Sequence, residues 1–255
     1  MPGRAGQLDG AVALVTGSGG GLGRSYALMF AARGAAIVVH DIDARTAEDT
    51  AATIRATGQR AWVIVNDIAD GADFRRRAGD VEREAGAIDI LVNNAGIDEG
   101  KLFEEITERD FDRMFAVHVK GTFFATQAIV PGMKARRRGS IINISSINGM
   151  IADSTDSHYN GAKAAILGLT KAWARELAPW GIRVNAVAPG HIVTAATIAR
   201  GPERMRRISA ERIPLGRYGE PDEVAYTVAF LASAESAFIT GQVLSPNGGE
   251  AIVGI

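Results

Sequence analysis

The chain has no cysteine. That excludes disulfides and thiolate-held zinc, and the expected compartment is the cytoplasm. Aromatic residues make up only 6% of the 255 positions. No apolar run approaches the roughly 18 residues of a membrane span. The N-terminal "MPGRAGQLDG" is polar and lacks the apolar stretch of a secretory signal. Charge of one sign is also missing, since 28 Lys and Arg face 29 Asp and Glu for a net −1. The chain therefore has no electrostatic footprint for nucleic acid, and no membrane partner is expected. The clusters "RRR" (Arg75–Arg77) and "KARRR" (Lys134–Arg138) read as solvated helix surface. The second follows a long helical pattern, where cations suit the C-terminal dipole.

Apolar, β-branched runs are plentiful: Val12–Val15, Ala36–Val39, Trp62–Val65, Ile88–Val92, Ile141–Ile144, Ile182–Val187 and Gln242–Leu244. They are continuous rather than alternating, as in strands buried on both faces of a parallel sheet. Helix-period segments lie between them, for example Leu22, Tyr26, Met29, Phe30 and Arg33, or Phe111, Met114, Phe115, His118 and Thr122. Strand alternating with helix predicts an α/β, doubly wound fold of βαβ units. No repeat, low-complexity tract or linker divides the chain, so one domain over 1–255 is expected.

The first such unit carries "TGSGGGLG", Thr16–Gly23, between a strand and a helix. A glycine-rich stretch is a poor helix start by propensity and on its own reads equally well as a flexible loop. Placed here, it opens a helix N-terminus whose free N–H groups favour an anion. Gly17 permits the tight turn, Gly21 lets a pyrophosphate reach the backbone, and Gly23 lets helix pack on strand. An acid, Asp41 in "IVVHD", ends the next strand near the ~20-residue spacing of a ribose-binding carboxylate. Its plainer reading is a helix cap or turn former. The context favours a bound dinucleotide, and Asp41 favours NAD.

Two further stretches carry reactive groups. "HYNGAK" sets Tyr159 and Lys163 one turn apart on a helix face. An ammonium there would stabilise a phenolate and bring the phenol toward a useful base. "GSIINISS" is a buried strand ending in Ser145 and Ser146, at the sheet edge where ligands bind. Either hydroxyl suits donation to a substrate oxygen, and spacing does not separate them.

With these motifs in order, and with "NDI" (Asn66–Ile68), "NNAG" (Asn93–Gly96) and "APGHIVT" (Ala188–Thr194), the chain resembles the short-chain dehydrogenase/reductase family in its compact branch. The resemblance runs from about Gly10 to Gly249 and includes "IPLGRYGEPDEV". It implies a Rossmann fold whose parallel sheet has seven strands in the order 3-2-1-4-5-6-7, with helices on both faces. It puts Ser146 in the family's serine place, beside Tyr159 and Lys163. For the cofactor it implies Gly17, Ser18, Gly20, Gly21, Leu22, Gly23, Asp41 and Ile42. It implies adenine contacts from Asp67 and Ile68 and a ribose wall from Asn94, Ala95 and Gly96. Pro189, Gly190, Ile192 and Thr194 follow on the nicotinamide side, with Ile192 and Thr194 on the carboxamide, and Lys163 on the nicotinamide ribose. A substrate flap over about 191–214 and a homotetramer built on helices around 107–133 and 159–178 are also implied. One position departs: His118 stands where the family usually has asparagine, as the fourth member of its catalytic set. With "GGGLGR", it resembles (3R)-hydroxyacyl-CoA dehydrogenase units. It also reads as a tolerated helix residue.

The expected function is NAD-dependent hydride transfer between a secondary alcohol and a ketone. The alternative is a 3-oxoacyl-(ACP or CoA) reductase or 3-hydroxyacyl-CoA dehydrogenase. A different class, a catalytically silent nucleotide-binding sensor, fits the fold but not an intact Ser-Tyr-Lys set. Arg200, Arg204, Arg206 and Arg207 in the flap would meet an anionic substrate or simply face solvent. No metal site is expected.

Overall fold

A computed structural model of the chain describes residues 7–253. The first six residues of the polar N-terminal stretch, and residues 254–255, lie outside that range. The element order is β1 (Val12–Thr16), α1 (Gly21–Ala32), β2 (Ala36–Asp41), α2 (Ala44–Arg55), β3 (Ala61–Val65), α3 (Gly71–Ala85) and β4 (Ile90–Asn93). Then come α4 (Glu108–Phe115), a π-helical turn (Ala116–Gly121), α5 (Thr122–Arg136), β5 (Gly139–Ile144), α6 (Ser157–Leu177) and β6 (Ile182–Val187). The chain closes with α7 (Ala195–Ala199), α8 (Pro202–Arg212), α9 (Pro221–Ala232) and β7 (Val243–Leu244).

The strands form one seven-stranded sheet in the order β3-β2-β1-β4-β5-β6-β7, and every pairing is parallel. Each face has its own core, which explains why the strand sequences do not alternate with polar residues. Ala13 and Val15 of β1 pack into one apolar cluster with Tyr26, Phe30, Ile54 and Val228 of α1, α2 and α9. Val12 and Leu14 pack into the other, with Phe74, Ile129, Met133 and Trp173 of α3, α5 and α6. Side chains alternate across a strand, so a run apolar at every position serves both cores.

Order reverses where β1 lies between β2 and β4. In an open parallel sheet that reversal leaves a crevice at the carboxyl ends of the strands. The residues closing it are Thr16, Asn93 and Ile144, followed by the loops that carry the candidate site. The long helical pattern around 107–133 is one run in sequence but two helices in structure. The π-helical turn interrupts it at His118, a form that recurs at functional sites.

Candidate active site

The cradle begins with backbone geometry. Gly17 has φ +64, and a Cβ there would lie 2.8 Å from Ala95 Cα. A Cβ on Gly23 would lie 2.1 Å from Gly17 O, so helix and loop are in direct backbone contact. Gly20 and Gly21 differ: a Cβ on either meets nothing within 4 Å. They border open cavity, at the start of α1, where Gly20 caps the helix without any side-chain hydrogen bond. The first amides of α1 therefore keep their hydrogens for an anion, and the residues present fit a pyrophosphate.

Asp41 does not cap α2; Asp43 does, accepting from Thr46 N at 2.9 Å. The Asp41 carboxylate instead accepts from Gly19 N at 2.9 Å and Asp43 N at 3.1 Å, which fixes it against the cavity. Gly19, absent from the expected contacts, is needed here because a Cβ would lie 2.9 Å from the Asp41 Oδ2 atom. Beside it, buried His40 accepts from Gly17 N at its Nδ1 (3.3 Å) and meets Asn66 Oδ1 through Nε2 at 2.9 Å. Asn66 in turn donates to Asp67 O and Asp70 O at 2.9 and 3.3 Å. This chain of bonds ties the glycine loop to the Asp67–Ile68 segment. Asn94 braces the same loop, donating to Thr16 O and Gly17 O at 2.9 and 3.0 Å.

The serines separate by direction. Ser145 is buried and donates its hydroxyl to Lys163 O at 2.8 Å. Ser146, next along the extended chain, turns the other way: its hydroxyl accepts from Asn148 N at 3.1 Å and interacts with the Tyr159 phenol. Both serines contribute to the cavity wall, but Ser146 is the one with its hydroxyl at Tyr159. Lys163 is buried, donates to Ile144 O at 2.9 Å, and places Nζ 5.6 Å from the Tyr159 ring centre.

The His118 ring stands edge-on to Tyr159, with ring centres 5.4 Å apart. Its Nε2 lies 3.0 Å from Ile97 N and 2.8 Å from Ile97 O. Which of the two it engages depends on the tautomer. Burial, with the Lys163 charge second, pushes the imidazole down to about 3.

One cavity of about 1020 Å³ is lined by every expected site residue except Ser18. Ser18 is fully buried, and its hydroxyl donates to Val15 O at 2.7 Å. Its side chain serves the strand end rather than the cavity. Thr194 lines the cavity, but its hydroxyl already caps α7, accepting from Thr197 N at 3.2 Å. The expectation that Lys163 brings the Tyr159 phenol down is not met by the protein's own groups. Burial dominates, raising Tyr159 to about 12 and lowering Lys163 to about 8. Lys134–Arg138 is not simply solvated either, because Arg136 and Arg138 both pair with Asp89.

Several cavity residues carried no local sequence signal. Asp98 pairs with Arg200 from the flap. Asp156 holds a left-handed φ of +59 at the start of α6 and accepts from Lys101 N at 2.6 Å. It thereby anchors the loop after β4 at the turn that presents Tyr159. His191 and Glu250 meet across 59 positions of sequence at 2.7 Å. No periodicity or motif reports contacts this far apart.

A family model described as enoyl-(acyl carrier protein) reductase matches residues 17–250. A 3-oxoacyl-[acyl-carrier-protein] reductase FabG of Thermotoga maritima is 40% identical over 243 residues, covering 95% of this chain and 98% of its own. Among solved structures, a gluconate 5-dehydrogenase from Burkholderia cenocepacia, in complex with NADP and tartrate, superposes with a TM-score of 0.92 at 38% identity. That match covers 96% of this chain and 98% of the other. A putative gluconate dehydrogenase from Agrobacterium tumefaciens gives a TM-score of 0.93 at 32% identity, over 97% and 98% of the two chains. With the parallel sheet, the glycine cradle and these matches along nearly its whole length, the chain belongs to the short-chain dehydrogenase/reductase family of nicotinamide-dependent oxidoreductases.

Proposed function

We propose that the protein uses NAD to interconvert a secondary alcohol and a ketone, with Tyr159 as the acid–base group. The observation that carries this reading is that the glycine cradle, Asp41, Ser146, Tyr159 and Lys163 line one cavity. Its volume, about 1020 Å³, is at the upper end of the usual ligand-pocket range and suits a dinucleotide with a small substrate. The bound dinucleotide supplies hydride acceptance and donation at its nicotinamide ring. The Ser146 hydroxyl donates to the substrate oxygen, and the Tyr159 hydroxyl passes or takes the proton there. Lys163, behind the tyrosine, holds a cation near the nicotinamide ribose position. His118 acts through its place in the π-helical turn, while its neutral ring fixes Ile97.

NAD is preferred over NADP because the Asp41 carboxylate is held in place by two backbone amides. It accepts hydrogen bonds from ribose hydroxyls and repels a 2′-phosphate. Neither Gly20 nor Ile42 offers a cation to offset that repulsion. The NADP named with the Burkholderia structure belongs to that protein. Steady-state kinetics with both cofactors test the assignment. The expected result is a higher kcat/KM with NAD, and an equal or higher value with NADP overturns it.

A second reading, reduction of a 3-oxoacyl thioester, is favoured by the name of the Thermotoga relative at 40% identity. NADH- or NADPH-dependent turnover of acetoacetyl-CoA separates it from oxidation of a free secondary alcohol. Turnover with neither substrate class would favour a silent nucleotide-binding sensor. In the reading preferred here, the chain is one cofactor-binding unit with a flap over 191–214. It works as a homotetramer through α4, α5 and α6, where Phe111 and Phe123 remain exposed.

A further inference from the structure

Alcohol–ketone chemistry needs only the Ser146–Tyr159–Lys163 corner, and it leaves a polar wall of the same cavity unexplained. On α8, Arg204, Ile208 and Arg212 follow one another at helical-turn spacing and so share a face. Ile208 is buried against Ile213 and Tyr218, while Arg204, one turn earlier, stays exposed where it borders the cavity. Arg212 is neutralised. Its Nε lies 2.9 Å from Glu250 Oε1, and its Nη1 lies 3.3 Å from Asp153 Oδ2. Arg200 is neutralised by Asp98. Arg204 has no ion pair or hydrogen bond among the described residues, yet it borders the cavity.

His191 completes the wall. Its Nδ1 sits 2.7 Å from Glu250 Oε2, on a carboxylate side chain only 2% exposed. Its ring lies 5.2 Å from that of Tyr218. Arg200, Arg204, Arg212 and Glu250 all lie within electrostatic reach of the Tyr218 hydroxyl. A buried carboxylate on Nδ1 fixes the imidazole's orientation and keeps the proton on that nitrogen. In the neutral ring Nε2 is then a bare acceptor, suited to a hydroxyl hydrogen. A guanidinium with no internal partner matches the fork of a carboxylate.

We propose that this wall selects a hydroxylated carboxylic acid, its carboxylate held by Arg204 and one of its hydroxyls accepted by His191. The inference rests on the alcohol–ketone reading above and names its substrate class. An alkyl acyl chain in the same place would desolvate Arg204 and His191 without replacing their bonds to water, a net cost. A hydroxy acid replaces them. A site built to pair such groups rejects analogues that lack them.

The test is calorimetric titration of the full-length protein, saturated with its reduced cofactor, with gluconate and with glucitol. These open-chain ligands differ by a terminal carboxylate against a terminal alcohol, and neither turns over on the reduced form. Gluconate should bind at least about tenfold more tightly. Arg204→Gln should close that gap to within about threefold while leaving affinity for the reduced cofactor unchanged. His191→Phe should weaken both ligands, and His191→Gln should restore part of the loss. Equal binding of the two ligands, no binding of gluconate, or a gap that survives Arg204→Gln overturns the proposal. Turnover separates it from the reading beneath. If NAD-linked oxidation of 2-butanol or cyclohexanol occurs without gluconate binding, this inference fails and the oxidoreductase reading stands. If Arg204-dependent gluconate binding occurs in a protein inert toward every alcohol and ketone, the wall is supported and that reading fails.

Discussion

Between Gly96 and Tyr159 the His118 ring has no room for a hydration shell. A Cβ on Gly96 would lie 2.4 Å from its Cε1, and the ring's Nε2 is engaged with Ile97. Desolvation therefore keeps the imidazole neutral at working pH. In the unfolded chain the same group titrates near ~6.5. Below that pH the unfolded state takes up a proton that the folded state refuses until about 3, so stability is lost as pH falls. Urea unfolding at pH 7.5 and pH 5 should show wild type losing more than His118→Asn, by about 2 kcal/mol. Equal losses would show that the folded ring accepts a proton readily. Tyr159 and Lys163 carry the other pH effect. With the phenol raised to about 12 and the amine lowered to about 8, the tyrosine holds its proton near neutrality, as ketone reduction requires. Alcohol oxidation needs that proton removed. Its kcat should rise with pH without levelling below about 12, while reduction holds level until the phenol begins to titrate. A level oxidation profile, or a reduction rate that falls between about pH 7 and 10, would contradict the assignment of the proton-transfer group. At this scale spacing pointed to Tyr159, Lys163 and Asp41 but left Ser145 and Ser146 unseparated; the family resemblance chose Ser146, and it also placed Ser18 among the cofactor contacts, though its hydroxyl bonds Val15 O. Those distinctions depend on which side of an extended backbone a hydroxyl leaves, and residue spacing does not encode that direction.

The loop from β1 into α1 uses glycine for two different reasons, and substitution separates them. Gly23 faces Gly17 O and the Asn94 amide, so a methyl group there collides with backbone. Gly20 faces open cavity and has φ −156, an ordinary extended value. Gly23→Ala should lower the unfolding free energy by about 1–3 kcal/mol, as overpacking does, and weaken cofactor binding as a consequence. Gly20→Ala should leave the melting temperature within a few degrees of wild type, yet raise the cofactor Kd, because its Cβ stands where a pyrophosphate would approach. Thermal melting and fluorescence titration with NADH read the two effects. Loss of stability in Gly20→Ala, or unchanged cofactor affinity, would mean the cradle is not where the anion binds. Strands and long helices were legible in the sequence to within a few residues, because burial on both faces leaves continuous apolar runs. The π-helical turn was not, since "FAVHVKGTF" keeps helical periodicity through the point where the hydrogen-bond ladder changes.

Across the whole molecule, the parallel sheet brings residues from distant segments to one edge. The end of β1, the loop after β4, the end of β5, the first turn of α6 and the loop after β6 all meet there. The strand order was implied by the family resemblance, and the nucleotide end by the glycine loop with Asp41. The wall formed by Asp153, His191 and Arg204, backed by Arg212 and Glu250, was not, because these residues meet only after the flap and the chain end fold onto the sheet. In the proposed mechanism, Tyr159 moves the proton. The most direct measurement is single-turnover hydride transfer from pre-bound NADH to a ketone that the wild type reduces, compared with Tyr159→Phe, with the NADH Kd measured on the same samples. Tyr159→Phe should bind NADH within about threefold of wild type and lose at least ~10²-fold in rate, the lower end of what a general acid supplies. A Tyr159→Phe protein that transfers hydride at close to the wild-type rate would contradict that mechanism.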